Sequence, residues 1–123
     1  MKFATCLNCI DGRTQLPAIN WIKINYKIDF VDMITEPGMD AVLSGEDHEI
    51  INRLLKKVDL SINRNNSRMV FIVGHHDCKG NPVSDQEHQQ QIRLAVEKLK
   101  SKQLAVPVIG LWISDKWEAE KID

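Results

Sequence analysis

Five residues in two short stretches have the types and the spacing to do chemistry. In Phe3-Ala4-Thr5-Cys6-Leu7-Asn8-Cys9-Ile10-Asp11-Gly12-Arg13, an apolar run ends in a cysteine, an aspartate and an arginine, each two residues from the next. In Gly74-His75-His76-Asp77-Cys78-Lys79-Gly80, a second apolar run ends in a histidine and a cysteine three apart. Side chains two apart leave an extended chain on one face, so Cys9, Asp11 and Arg13 are expected on the same side of their strand. If the two runs are neighbouring parallel strands, Cys9, His75 and Cys78 converge on one ion. Two thiolates and an imidazole suit zinc, and three protein ligands leave one tetrahedral position open, the arrangement of a catalytic site. Zinc brings the pKa of its water to about 7 and so makes a nucleophile available at neutral pH. Asp11 is placed to accept a hydrogen bond from that water. Arg13 can hold Asp11 by a bidentate pair and keep it off the metal.

The elements that must position these residues follow from hydrophobic periodicity. Residues 2–10 read as a first strand, apolar on both faces as a buried parallel strand should be. Residues 14–26 suit a short helix with Pro17 near its start and Leu16, Ile19 and Ile22 recurring. Residues 29–34 form a second strand, stopped by Glu36-Pro37-Gly38. Ser44-Gly45-Glu46-Asp47 opens a helix to about Asn63, with Ile50, Ile51, Leu54, Leu55 and Val58 on its apolar face. Met69-Val70-Phe71-Ile72-Val73 is the clearest strand, and Ser84-Asp85-Gln86-Glu87 a capping box for a helix to about Lys102. Residues 106–113 make a fourth strand, and residues 116–123 a charged tail with at most one helical turn.

This alternation predicts one α/β domain over residues 1–123, a small parallel four-stranded sheet of order 2-1-3-4 with helices on both faces. Right-handed crossovers then make strands one and three neighbours, and the strand order reverses between them. Ligands bind outside the carboxyl ends of strands at such a reversal. Cys9–Arg13 and His75–Cys78 are those carboxyl ends, so topology and ligand chemistry select the same place.

Composition narrows the classes. The net charge is −1 with no basic tract, which argues against a nucleic acid or an acidic membrane surface as partner. No apolar run approaches the ~20 residues of a membrane span. Met1-Lys2 leads straight into a strand, so no signal peptide is expected. Three cysteines are an odd number for a disulfide framework and fit a reduced, cytoplasmic setting.

Several residues have plainer readings. Cys9 and Cys78 are otherwise buried small hydrophobes, and Asp11 with Arg13 a structural ion pair. Cys6 reads as core, because residues three apart on a strand face opposite ways; a Cys6–Cys9 redox pair or a closed four-ligand zinc site needs a bend there. His76 reads as a surface residue or one supporting the site from behind, with proton carrying the sharper role for it or for His88, and His48 needs no role. Asp77 is expected to bond the backbone of its own turn, and Trp112 and Trp117 to serve packing.

Cys9-x-Asp11-x-Arg13, followed after an apolar strand and Gly74 by His75-x-x-Cys78, resembles the β-class carbonic anhydrases. The resemblance runs in order from the first strand to Gly110-Leu111-Trp112. It implies zinc on Cys9, His75 and Cys78, an Asp11–Arg13 dyad, and reversible hydration of carbon dioxide to bicarbonate, a carbonate dehydratase (lyase) reaction. It also implies a homodimer. This chain departs from the pattern: it lacks the helical N-terminal arm and a glutamine before the first cysteine, and Thr35-Glu36-Pro37-Gly38 replaces an Arg-Asn-Ala-Gly run. Those departures leave room for a non-catalytic zinc-binding descendant with a structural or partner-binding role. A hydrolase of carbonyl sulfide or carbon disulfide would use the same nucleophile.

Overall fold

In the computed structural model, which describes residues 1–123, the chain runs β1 (Phe3–Asn8), α1 (Gln15–Tyr26), β2 (Phe30–Thr35), α2 (Met39–Ser44) and α3 (His48–Asn65). It continues β3 (Val70–His75), α4 (Asp85–Lys100), β4 (Val108–Ile113) and β5 (Ala119–Ile122). The strands form one sheet in the order β2-β1-β3-β4-β5. The first four are parallel, and β5 runs antiparallel beside β4. The α/β class and the 2-1-3-4 order are therefore as expected. No helix is long and apolar enough to cross a membrane.

The central strand shows why the sheet needs cover on both sides. All six residues of β3 are buried, and successive side chains enter opposite cores. Val70 and Ile72 pack with Leu7, Met39, Leu43, Leu54, Val58, Ala95 and Leu99 beneath α2, α3 and α4. Phe71 and Val73 pack with Cys6, Ala18, Ile22, Leu111 and Ile113 beneath α1. Full burial of a side chain such as Ile72 or Leu54 contributes about 2 kcal/mol, so each face carries much of the fold. The hydroxyl groups inside are paired. Thr5 Oγ1 lies 2.6 Å from Ser61 Oγ and 2.7 Å from Ser67 Oγ, and Ser61 Oγ donates to Asp32 Oδ2 at 2.7 Å.

Helix starts follow local chemistry. Ser84 accepts from the Glu87 N–H at 3.1 Å, the expected cap of α4. Asp47 caps α3 through the Ile50 N–H.

Two elements correct the sequence reading. The tail is not a helical turn: residues 119–122 form β5, a fifth strand, after a turn closed by Ser114 N–H on Glu118 O at 3.0 Å. Its charged Glu120 and Lys121 hid it, yet charge is how an edge strand avoids pairing with other chains. The breaker at Glu36-Pro37-Gly38 does not lead into loop alone. Gly38, at φ 62, starts α2, which buries Met39, Asp40 and Leu43.

Asp40 joins three elements. Its Oδ2 accepts from His88 Nδ1 at 2.6 Å, and its Oδ1 from Asn81 Nδ2 at 3.0 Å. Asn81 Nδ2 also donates to Gln91 Oε1 at 2.6 Å. His88 is fully buried in this tie between α2 and α4, so it is no surface proton carrier. The tie depends on Gly74, where a Cβ would meet Asp40 Oδ2 and Ile92 Cδ1 at 2.7 Å. Gly74→Ala should therefore destabilise the protein by about 2 kcal/mol, read as a lower urea midpoint with unchanged slope.

Candidate metal centre

The site is assembled where β1 and β3 leave the sheet. Their parallel register pairs Cys6 with Phe71 and Leu7 with Ile72. Cys9 and His75 thus emerge together, two and three residues beyond the last of these pairs. Buried Asn8 shapes the exit of β1: its Oδ1 accepts the Cys9 N–H at 2.8 Å, and its Nδ2 donates to Thr14 Oγ1 at 3.0 Å.

Beyond Cys9 the chain does not stay extended, contrary to the alternation argument. Residues Gly12–Thr14 form a 3-10 turn capped by Asp11, whose Oδ1 accepts the Arg13 N–H at 2.9 Å. A short acidic side chain bonding the backbone two residues on is a turn-former, and it outcompeted strand continuation. The turn still places Asp11 and Arg13 together. Arg13 Nη2 lies 2.7 Å from Asp11 Oδ2, and Nε donates to Oδ1 at 3.1 Å.

The donor atoms of Cys9, His75 and Cys78 all lie within 4.8 Å of one another, and all three residues are buried. The two sulfurs are 3.9 Å apart. Two Zn–S bonds of ~2.3 Å at the tetrahedral angle put the sulfurs about 3.8 Å apart. His75 Nδ1 lies 2.7 Å from His76 O, which fixes the tautomer with Nδ1–H donating. Its Nε2 is left buried with no hydrogen-bond partner. A buried acceptor without a partner is costly, and a metal beside the sulfurs would satisfy it. The residues fit zinc.

Their electrostatics agree. Burial opposes ionisation of Cys9, but the His75 ring and the backbone N–H groups of Gly38 and Asp11 prevail and bring the thiol down to about 7. Burial likewise disfavours the His75 imidazolium, yet Cys9 and the His76 carbonyl raise its pKa. Burial and then the Cys9 charge push Cys78 up to about 11, against the Gly80 N–H. Two of these amides, of Gly38 and Gly80, come from loops locked together: a Cβ on Gly80 would meet Pro37 Cβ at 2.9 Å and Gly38 N at 3.0 Å. The Pro37-Gly38 turn thus serves the site directly.

Other candidates fall elsewhere. Cys6 is fully buried in the core beneath α1, and burial raises its thiol to about 12, so it is neither a redox partner nor a fourth ligand. His76 is partly exposed, its Nδ1 2.8 Å from Asp85 Oδ1. With Asp77, Cys78, Ser84 and Asp85 it lines a surface cleft beside the cluster. The Asp77 carboxylate bonds not the backbone of its own turn but the side chains of Lys79 and Arg13, and Trp117 lies against Arg13 instead of serving packing alone. Sequence spacing had no means to find either, since 64 residues separate Arg13 from Asp77.

A parallel sheet with two cysteines and a histidine at the carboxyl ends of β1 and β3 defines the β-carbonic anhydrase fold. The chain is similar in structure to the beta-carbonic anhydrase isoform I of the protozoan Trichomonas vaginalis, with a TM-score of 0.61 over 96% of this chain and 81% of that one. At 17% identity that likeness concerns the fold. The profile of the family described as "Putative carbonic anhydrase" matches residues 1–123, and the chain belongs to that family. Comparison with curated proteins gave no match.

Cys9→Ser and Cys78→Ser should each lose zinc, while Cys6→Ala keeps it, as metal analysis of the purified chain would show. Because Cys78 binds as a thiolate but is a neutral thiol when free, zinc uptake at pH 7 should release protons and weaken as pH falls. Calorimetry in buffers of different ionisation enthalpy measures this.

Proposed function

We propose that this protein is a zinc-dependent carbonic anhydrase, hydrating carbon dioxide to bicarbonate with release of one proton to solvent. Cys9, His75 and Cys78 would hold the metal. When bound, zinc would supply a Lewis acid able to bring the pKa of a water molecule to about 7.

The rest is done by the chain. The His76 carbonyl keeps the Nδ1 proton on His75 and leaves Nε2 free to ligate. Arg13 holds the Asp11 carboxyl down at about 2. At neutral pH Asp11 is therefore always ionised and a poor proton acceptor, since an efficient general base has a pKa near the working pH. Its role is to receive a hydrogen bond and orient the attacking oxygen. Arg13 occupies both Asp11 oxygens and directs the carboxylate away from the ligand position.

The observation that carries this reading is the donor count. Three ligand atoms converge, and the two other nearby candidates are engaged elsewhere, Cys6 in the opposite core and Asp11 with Arg13. A structural zinc site is closed by a fourth protein ligand.

Zinc-loaded wild type should catalyse carbon dioxide hydration in a stopped-flow assay, and Asp11→Asn should keep zinc yet lose activity about 100-fold, the scale of a misplaced reactant. Full activity in Asp11→Asn removes the proposed role. Zinc-loaded wild type with no hydration activity removes the enzyme reading. Carbonyl sulfide assayed in parallel separates the two substrate classes.

A further inference from the structure

Arg13 is gripped from three sides, and only one of its partners, Asp11, enters the chemistry proposed above. Its Nη1 donates to Asp77 Oδ2 at 3.2 Å, and its Nη2 to the Asp77 carbonyl oxygen at 3.0 Å. The Trp117 ring lies against the guanidinium, 4.3 Å from Cζ to the ring centroid. The same indole stands 6.2 Å from the His75 ring, centroid to centroid. Asp77 comes from the turn between two proposed ligands, and Trp117 from the turn joining β4 to β5. Three separate segments therefore meet on one side chain.

The backbone at the two outer partners points the same way. Five non-glycine residues have positive φ: Lys27, Asn66, Asp77, Gln103 and Trp117. Lys27 and Asn66 are the C-caps of α1 and α3, and Gln103 lies in the turn after α4, so helix termination accounts for those three. Asp77, at φ 56, and Trp117, at φ 58, end no helix. For a residue as bulky as tryptophan that conformation is a genuine outlier. Glycine would adopt it freely at both places. What aspartate and tryptophan supply, and glycine cannot, is a carboxylate and a ring face for Arg13. Backbone strain kept where side chains converge on a site is a sign of function.

We infer that Asp77 and Trp117 are positioning residues that lock the Arg13 guanidinium, so that Asp11 stays directed away from the fourth ligand position. Asp77 fixes one end of the fork by charge and hydrogen bond. Trp117 covers one face of the guanidinium, where a cation is attracted to the ring, and so limits the orientations the fork can take. The inference concerns the Asp11–Arg13 pair of the function proposed above, but its first test needs no metal.

That test is ¹⁵N NMR of the metal-free chain, following the Arg13 Nε–H, which donates to Asp11 and is assigned by its loss in Arg13→Lys. Solvent exchange of this proton should speed up about tenfold in Asp77→Gly/Trp117→Leu, the size expected for losing a partly exposed ion pair with a cation–π contact. Trp117→Phe alone, which keeps both Asp77 and a ring face, should exchange as slowly as the wild type. Asp77→Gly alone relieves the backbone, so its melting temperature should hold or rise while exchange still quickens. An unchanged exchange rate in the double variant, or a rate that follows only the melting temperature, overturns the inference.

The second test loads the full chain with cobalt and titrates azide by visible absorption. The double variant should bind azide about tenfold more weakly, as its freed carboxylate competes for the ligand position. Adding Asp11→Asn should recover the wild-type affinity. Azide affinity unchanged in the double variant, or not recovered without the Asp11 carboxylate, also overturns the inference. Wild type that takes up no metal defeats the proposed enzyme instead, and the exchange rates still decide on Asp77 and Trp117.

Discussion

Everything in this molecule hangs on the parallel pairing of β1 with β3. The register that sets Leu7 beside Ile72 lets two chain segments 69 residues apart present their sulfurs 3.9 Å from each other. Parallel neighbours require a long crossover, and here α1, β2, α2 and α3 fill it. The strand order turns around at this junction. Two strand ends consequently open side by side with no connection passing over them, and a ligand-binding crevice forms there.

The pairing alone would leave the site soft, and buried polar groups stiffen it. Asn8 fixes the exit of β1 by satisfying the Cys9 amide and Thr14. Asp40, His88 and Asn81 tie α2 and α4 to the turn that carries Cys78. Such networks hold a geometry because each member is costly to leave unpaired. The exceptions are informative. His75 Nε2 and His88 Nε2 are buried without partners, and of the two only His75 lies beside the sulfurs.

Much of this was legible in the amino-acid sequence. Runs such as Met69–Val73 carry an unambiguous signal, and Ser84 and Glu87 announce the start of α4. The convergence of Cys9, His75 and Cys78 was legible too, because residue type and position at strand ends survive small errors in local conformation. What failed was conformation beyond the strands. Strand alternation put Asp11 and Arg13 on one face, whereas a capped 3-10 turn brought them together. The short α2 hid behind a proline-glycine breaker, and β5 hid behind charge. Asp77 and Trp117 were beyond reach, since their meeting with Arg13 is a tertiary event between loops that no periodicity encodes.

The two apolar cores bear on how a metal would be taken up at the cluster of Cys9, His75 and Cys78. They lie on either side of the sheet and draw on residues from every helix, while the sulfurs sit at its end. Small zinc domains have no such interior, so for them loading and folding are one event. Here two apolar cores flank the sheet away from the sulfurs, so an ion bound there would be a late guest in a scaffold that does not need it to fold. A site of that kind would empty and refill without the polypeptide coming apart.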